Sequence, residues 1–327
     1  MTSRAILFLQ LGGPETLDDV PGFLYRLFSD PDVIRVRPAL LRKAIALAIA
    51  LGLKKASRAL YASIGGGSPI RRLTEQQAAG TEALLRGGGR DVLVRTAMTC
   101  SAPLVEDVVG ELAAEGVDRF LAFPLYPQYS LTTTKGALER SRAAVRQFAP
   151  GASLHELGSF PTHPLFVEAH AEGVREQVAQ FPDPRPEAVH LLFSAHSIPK
   201  KLITREGDPY AGEVEASVRA ILERLAWTGA STLAYQSKLG PIEWLGPSTS
   251  GVLAELGRRR ERQVLVVPIA FVTDHVETLQ EIDQLFADQA REAGIAHFRR
   301  TPGLNDRPSF LRALEDLARS VQPFWGP

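Results

Sequence analysis

The chain has 327 residues, and its 37 basic side chains balance 37 acidic ones. That length suits two domains or one large one, and zero net charge argues against a nucleic-acid binder. A single cysteine, Cys100, excludes an internal disulfide and any Cys-built metal or iron–sulfur site, and points to the cytoplasm.

The N-terminus enters a strand pattern at Arg4–Leu11, with no signal-peptide pattern before it. The strand ends in Gly12-Gly13-Pro14, and Thr16 is placed to cap a following helix. The spacing is not the G-x-G-x-x-G of a dinucleotide site. Residues 38–56 hold an apolar run of about a dozen residues, short of the ~20 of a membrane span. Charges flank it at Arg42, Lys43, Lys54, Lys55 and Arg58. It reads as a core helix, an interfacial helix or a lid over a greasy substrate. Gly65-Gly66-Gly67 then permits close backbone approach, either to cradle an anionic group or to make a tight loop.

Strands follow at 91–98, 119–125 and 153–158, with helices at about 104–115 and 135–148 between them. After a helix at about 164–181 and a Pro-rich link, the pattern repeats. Strands are expected near 189–195, 231–236, 263–270 and 295–300, separated by helices at about 211–226, 247–259 and 277–293. A last helix, about 307–320, has no strand after it. The fold class is therefore α/β: two doubly wound Rossmann-like domains, each on a four-stranded parallel sheet. The expected domains are 1–160, with a lid segment at about 38–70, and 161–306; residues 307–327 pack back on them. Such domains leave a cleft lined by the carboxyl ends of their strands.

Two segments carry the chemistry. In Val189–Pro199 an apolar strand runs into Ser194-Ala195-His196-Ser197, so His196 is expected just past the strand's end. In Gln263–Asp283 a second strand runs into Thr273, Asp274, His275 and Glu277, and a helical pattern follows. Glu277 and Glu281, four apart, share one helix face. One histidine with nearby carboxylates suits proton transfer or O/N ligation of a divalent metal. No nucleophile elbow surrounds Ser194 or Ser197, which speaks against a hydrolase. The aromatic residues expected at the cleft, among them Tyr126, Tyr129, Trp244 and Phe271, point to a large planar substrate.

Several long segments resemble the ferrochelatase family: Leu-Gly-Gly-Pro-Glu-Thr (11–16), Ile-Gly-Gly-Gly-Ser-Pro-Ile (64–70), Pro-Leu-Tyr-Pro-Gln-Tyr-Ser (124–130), Phe-Ser-Ala-His-Ser-Ile-Pro (193–199), Gly-Asp-Pro-Tyr (207–210), and the whole of 235–247 and 268–283. The resemblance spans nearly the whole chain, in order. It implies insertion of ferrous iron into a porphyrin in haem biosynthesis, with protoporphyrin or coproporphyrin as substrate. It implies that His196 and Glu277 are catalytic and meet the metal, and that Asp274, His275 and Glu281 line a proton or metal path. Leu11, Tyr61, Ser68, Thr99, Cys100, Tyr126, Trp244 and Phe271 then fall at porphyrin-contacting positions. Ferrous iron is a substrate on this reading, with no permanent cofactor and no iron–sulfur cluster; Gly303 stands where some relatives carry Cys. Transient membrane-surface contact fits the apolar product, and monomer and homodimer both remain open. Thr99-Cys100 departs from the charged or aromatic pair common in the family, and Leu285 replaces a third acid on the 277 helix. A chelatase for another metal, such as cobalt, and a non-catalytic tetrapyrrole carrier are the alternatives.

Overall fold

A computed structural model describes residues 3–34, 36–238 and 240–326. The chain divides into two compact units, one of residues 1–126, 130–159 and 311–327, the other of 127–129 and 160–310.

In the first unit four parallel strands, β1 (Arg4–Gln10), β2 (Leu93–Met98), β3 (Arg119–Pro124) and β4 (Ser153–Glu156), lie in the order β2-β1-β3-β4. Six of the seven β1 residues are buried, which is why the strand reads as one apolar run. The helices are α1 (Val20–Ser29), α2 (Ala39–Ser63), α3 (Ile70–Gly87), α4 (Val105–Ala114) and α5 (Thr134–Phe148). Leu7 and Leu9 pack with Val105, Val109 and Leu112 of α4 and Leu138 of α5. On the opposite face Phe8 meets Phe123 edge-on, centroids 5.0 Å apart.

Two expectations change here. Thr16 does not cap α1, which starts at Val20; its N–H and hydroxyl both donate to the Asp19 carboxylate, at 2.9 and 2.7 Å, in the turn before the helix. The run at 38–56 belongs to a 25-residue helix that is not a core helix: only Ala46, Ala50 and Tyr61 are buried on it, and Leu40 is 85% exposed. Leucines 41, 47, 51 and 60 are exposed as well, because the apolar residues go round the helix while only one side packs on α1. No helix of the described residues is long and apolar enough to cross a membrane.

The second unit repeats the plan. Helix α6 (Pro164–Val178) precedes β5 (His190–His196), α7 (Lys200–Glu206), α8 (Tyr210–Leu225), β6 (Ser231–Gln236), α9 (Thr249–Arg258) and β7 (Gln263–Pro268). A π-helix follows at Glu277–Phe286, then α10 (Ala287–Glu292) and β8 (His297–Arg300); α11 (Pro308–Ser320) and α12 (Gln322–Trp325) close the chain, and from residue 311 on they belong to the first unit. The strand order is β6-β5-β7-β8, all parallel. Leu192, Val264 and Val266 form this sheet's core with Val252, Leu253 and Leu256 of α9 and Ile282 and Phe286 of the π-helix. The helix expected at 277–293 is thus α-helical only in its last six residues. Order reverses between β5 and β7, and that crevice is where this topology places ligands.

Candidate functional site

His196 is the last residue of β5, one position earlier than its expected place beyond the strand. Glu277 opens the π-helix that follows β7. The two side chains thus meet at the switch point of the second unit: His196 Nδ1 lies 2.8 Å from Glu277 Oε2. A carboxylate only accepts, so Nδ1 carries the proton and Nε2 is the nitrogen left to face a substrate. The pair is partly open, with 33% and 21% of the side-chain surfaces exposed.

Burial alone would disfavour charge on both groups. Their mutual attraction outweighs it, raising the His196 pKa above that of a free imidazole and holding Glu277 well below the ordinary carboxylate range. Both shifts favour the imidazolium–carboxylate form of the pair over its neutral form.

The surroundings fix this geometry. The Tyr210 hydroxyl donates to the His196 carbonyl at 2.8 Å, locking the strand end. Phe271 stands edge-on between the two histidines, 5.9 Å from the His196 ring and 4.4 Å from the His275 ring. His275 Nδ1 donates to the Thr273 carbonyl at 2.9 Å, leaving Nε2 turned toward Glu277 Oε1 at 3.8 Å. Glu281 joins from one turn along the π-helix: it accepts from Gln236 Nε2 at 3.1 Å and from the Ser237 N–H at 3.0 Å. Burial and the nearby Glu277 charge push its carboxyl pKa up, against the Ser237 hydrogen bonds. The Ser237 hydroxyl lies within hydrogen-bond reach of both Glu277 and Glu281.

Asp274 does not line this cluster as a free acid. Arg300 Nη1 pairs with it at 2.8 Å, and Asn305 Nδ2 and the Gly303 N–H also donate to it. It is a structural clasp on the turn before the π-helix. Gly303 serves the same clasp, since a Cβ there would fall 2.8 Å from the Asp274 backbone nitrogen. Trp244 is held next to the His196 strand end, because residues 243–245 pair with 198–200 through Lys200 N–H to Glu243 O at 2.9 Å and Leu245 N–H to Ile198 O at 3.0 Å.

In the first unit the expected contact residues gather at the carboxyl ends of β1, β2 and β3. The Cys100 N–H donates to the Leu11 carbonyl at 2.9 Å and the Ser68 N–H to the Pro14 carbonyl at 2.7 Å. Leu11 and Ser68 are partly exposed, whereas Tyr61, Thr99, Cys100 and Tyr126 are buried. Burial pushes the Cys100 thiol up to about 11, so it is a neutral packing group rather than a reactive thiolate. Sequence reading does not single out Gln236, Ser237, Tyr210, Arg300 or Asn305 as site residues; Gln236, Ser237 and Tyr210 carry a signal only as members of the 235–247 and 207–210 segments, and Ser194 enters only as a rejected nucleophile.

The ferrochelatase family model matches residues 3–322. The chain belongs to the ferrochelatase family. A ferrochelatase of Synechococcus sp. (strain JA-2-3B'a(2-13)) is 45% identical over 322 residues, covering 98% of this chain and 93% of that relative. One of Nostoc sp. (strain PCC 7120) is 41% identical over 315 residues, covering 95% and 80%. Among solved structures, SirB from Bacillus subtilis with Fe3+ covers 98% of this chain and 95% of its own at a TM-score of 0.57 and 12% identity, a likeness of fold. As a member of this family the chain is a metal chelatase of haem biosynthesis, a lyase whose substrates are a porphyrin and iron.

Proposed function

We propose that the chain inserts ferrous iron into a porphyrin with His196 as the base for the pyrrole protons and Glu277 as its partner. The observation that carries this is the 2.8 Å His196–Glu277 contact at the sheet's switch point, with Nε2 left free. A porphyrin must lose two inner protons for one divalent cation. His196 Nε2 takes a proton once the imidazole is neutral, and Glu277 stabilises the imidazolium that results. Ring distortion, driven by binding of the rest of the macrocycle, would expose the pyrrole protons to it.

Imidazole and carboxylate hold iron(II) only moderately, which favours release into the ring. Among the described residues no group of three or more His, Cys, Asp or Glu is arranged to hold a metal ion. Phe271 and Trp244, beside His196, are proposed to contact the macrocycle. His275 and Glu281 are proposed to extend the proton path, and Asp274 to act through the clasp described above. Whether the ring is protoporphyrin or coproporphyrin is a matter for paired turnover measurements with both.

The test is His196→Ala, assayed with iron(II) and each porphyrin. Metallation should be lost while porphyrin binding, followed by its absorbance shift, persists. Normal turnover of the variant would remove His196 from this role. Wild-type protein that binds porphyrin without turnover would favour a carrier, and turnover with cobalt alone would favour the other chelatase.

A further inference from the structure

Ser237 is not glycine, yet its backbone sits at φ 63°, in the left-handed region. That conformation strains a side-chain-bearing residue, and glycine would adopt it freely. The strain must serve something that a hydroxyl supplies and a hydrogen does not. The hydroxyl lies 2.9 Å from Glu277 Oε2 and also reaches Glu281 Oε2. The same residue's N–H donates to Glu281 Oε1 at 3.0 Å, so backbone and side chain hold that carboxylate together. Gln236 adds a third donor to Glu281, and its own side-chain oxygen is fixed by the Ser194 hydroxyl at 2.6 Å.

We propose that Ser237 is the positioning residue that links Glu281 to the His196–Glu277 pair, its hydroxyl being the bridge between the two carboxyl groups. A hydroxyl accepts and donates at once. From one point the Ser237 hydroxyl meets Oε2 of Glu277, which accepts from His196 Nδ1, and Oε2 of Glu281, while Gln236 and the Ser237 N–H hold Glu281 against it. Without the hydroxyl Glu281 keeps two donors but loses its link to the pair. The proposal rests on the reading of His196 as the base.

The test uses Ser237→Gly and Ser237→Ala in the full chain, each alone and combined with Glu281→Gln. Ser237→Gly relieves the backbone while deleting the hydroxyl, so it should melt no lower than the wild type. Its kcat for metallation should nevertheless fall about tenfold, the loss of one hydrogen bond to a charged group. The KM for porphyrin should stay within about twofold. In the Glu281→Gln background either substitution should slow turnover no further, because both act on one step. Wild-type kcat in Ser237→Gly, or full multiplication of the two single-variant losses, would overturn the bridge. Activity of His196→Ala would instead overturn the underlying reading, so the two failures are separable.

Discussion

Replacing Arg300 with Met tests how the site is held. The Arg300 side chain is 9% exposed and joins two acids: Asp274 at 2.8 Å, before the π-helix, and Asp283 at 2.8 Å from both Nε and Nη2, in its second half. Asp283 is 39% exposed, so its share is about 0.5 kcal/mol after solvent screening. Asp274 is only 12% exposed, and stranding a buried carboxylate costs about 3–5 kcal/mol. Asn305 and the Gly303 N–H still donate to it, which favours the lower end. The sum is about 3.5 kcal/mol, or roughly 7–14 °C in Tm for a unit of this size.

The pH dependence has a definite sign. In the wild type, burial would raise the Asp274 pKa, but Arg300 and the neighbouring donors hold it below the ordinary value. Its contribution is present above the unfolded carboxyl pKa and lost as pH falls through the depressed folded one. Without Arg300 burial dominates and the folded pKa rises, so mild acid stabilises the variant. The gap in Tm should therefore shrink between about pH 7 and about pH 4.5. Thermal melts followed by circular dichroism at both pH values decide it. A gap below about 2 °C at neutral pH, or one that acid leaves unchanged, would refute this account of the clasp.

Glu277→Gln removes the anion that raises the His196 pKa, so the rising limb of kcat/KM against pH should move to lower pH while the plateau rate drops; a limb that stays in place would mean the pair does not set the titration. Gly67→Ala places a Cβ 1.9 Å from the Glu15 carbonyl oxygen and should displace the segment carrying Ser68, lowering thermal stability by about 1–3 kcal/mol; an unchanged melt would show the loop simply shifts. The stabilising part of the His196–Glu277 attraction is full between the unfolded pKa values of the two groups; it falls away as pH drops from the unfolded carboxyl value through the depressed Glu277 value and as pH rises from the unfolded imidazole value through the raised His196 value, and is read from melts of wild type against Glu277→Gln across pH.

The parts of this site that sequence made legible are those that terminate buried strands. His196 and the Thr273–Glu277 segment each stand where a continuous apolar run gives way to polar residues. A parallel strand covered on both faces writes that boundary into the chain. Ser237 and Arg300 carry no such mark. Ser237 matters because of a left-handed backbone and two acids 40 and 44 positions away. Arg300 looks like any basic residue at the end of an edge strand until Asp274, 26 positions earlier, is brought beside it. Long-range pairing of polar groups leaves no local period, whereas burial does.

The π-helix at Glu277–Phe286 stands where the spacing predicts an α-helix, and the buried positions show the difference. Val276, Leu279, Ile282 and Leu285-Phe286 fit an α-helical period, which predicts Leu285 on the buried side. Leu285 is 43% exposed, and the buried positions are Thr278, Ile282 and Phe286, four apart each time. A strict step of four exceeds 3.6 and matches the wider turn of i→i+5 hydrogen bonding. The acids obey the same step, Glu277 and then Glu281, so the turn that buries 278, 282 and 286 sets one carboxylate above the other along a single edge. A step of four also places two side chains on one face of an α-helix, so the shared face of Glu277 and Glu281 follows from the sequence, whereas the π-turn does not. A residue inserted or deleted between 277 and 281 turns Glu281 off the face that Ser237 reaches, and should break the bridge while leaving His196 and Glu277 paired.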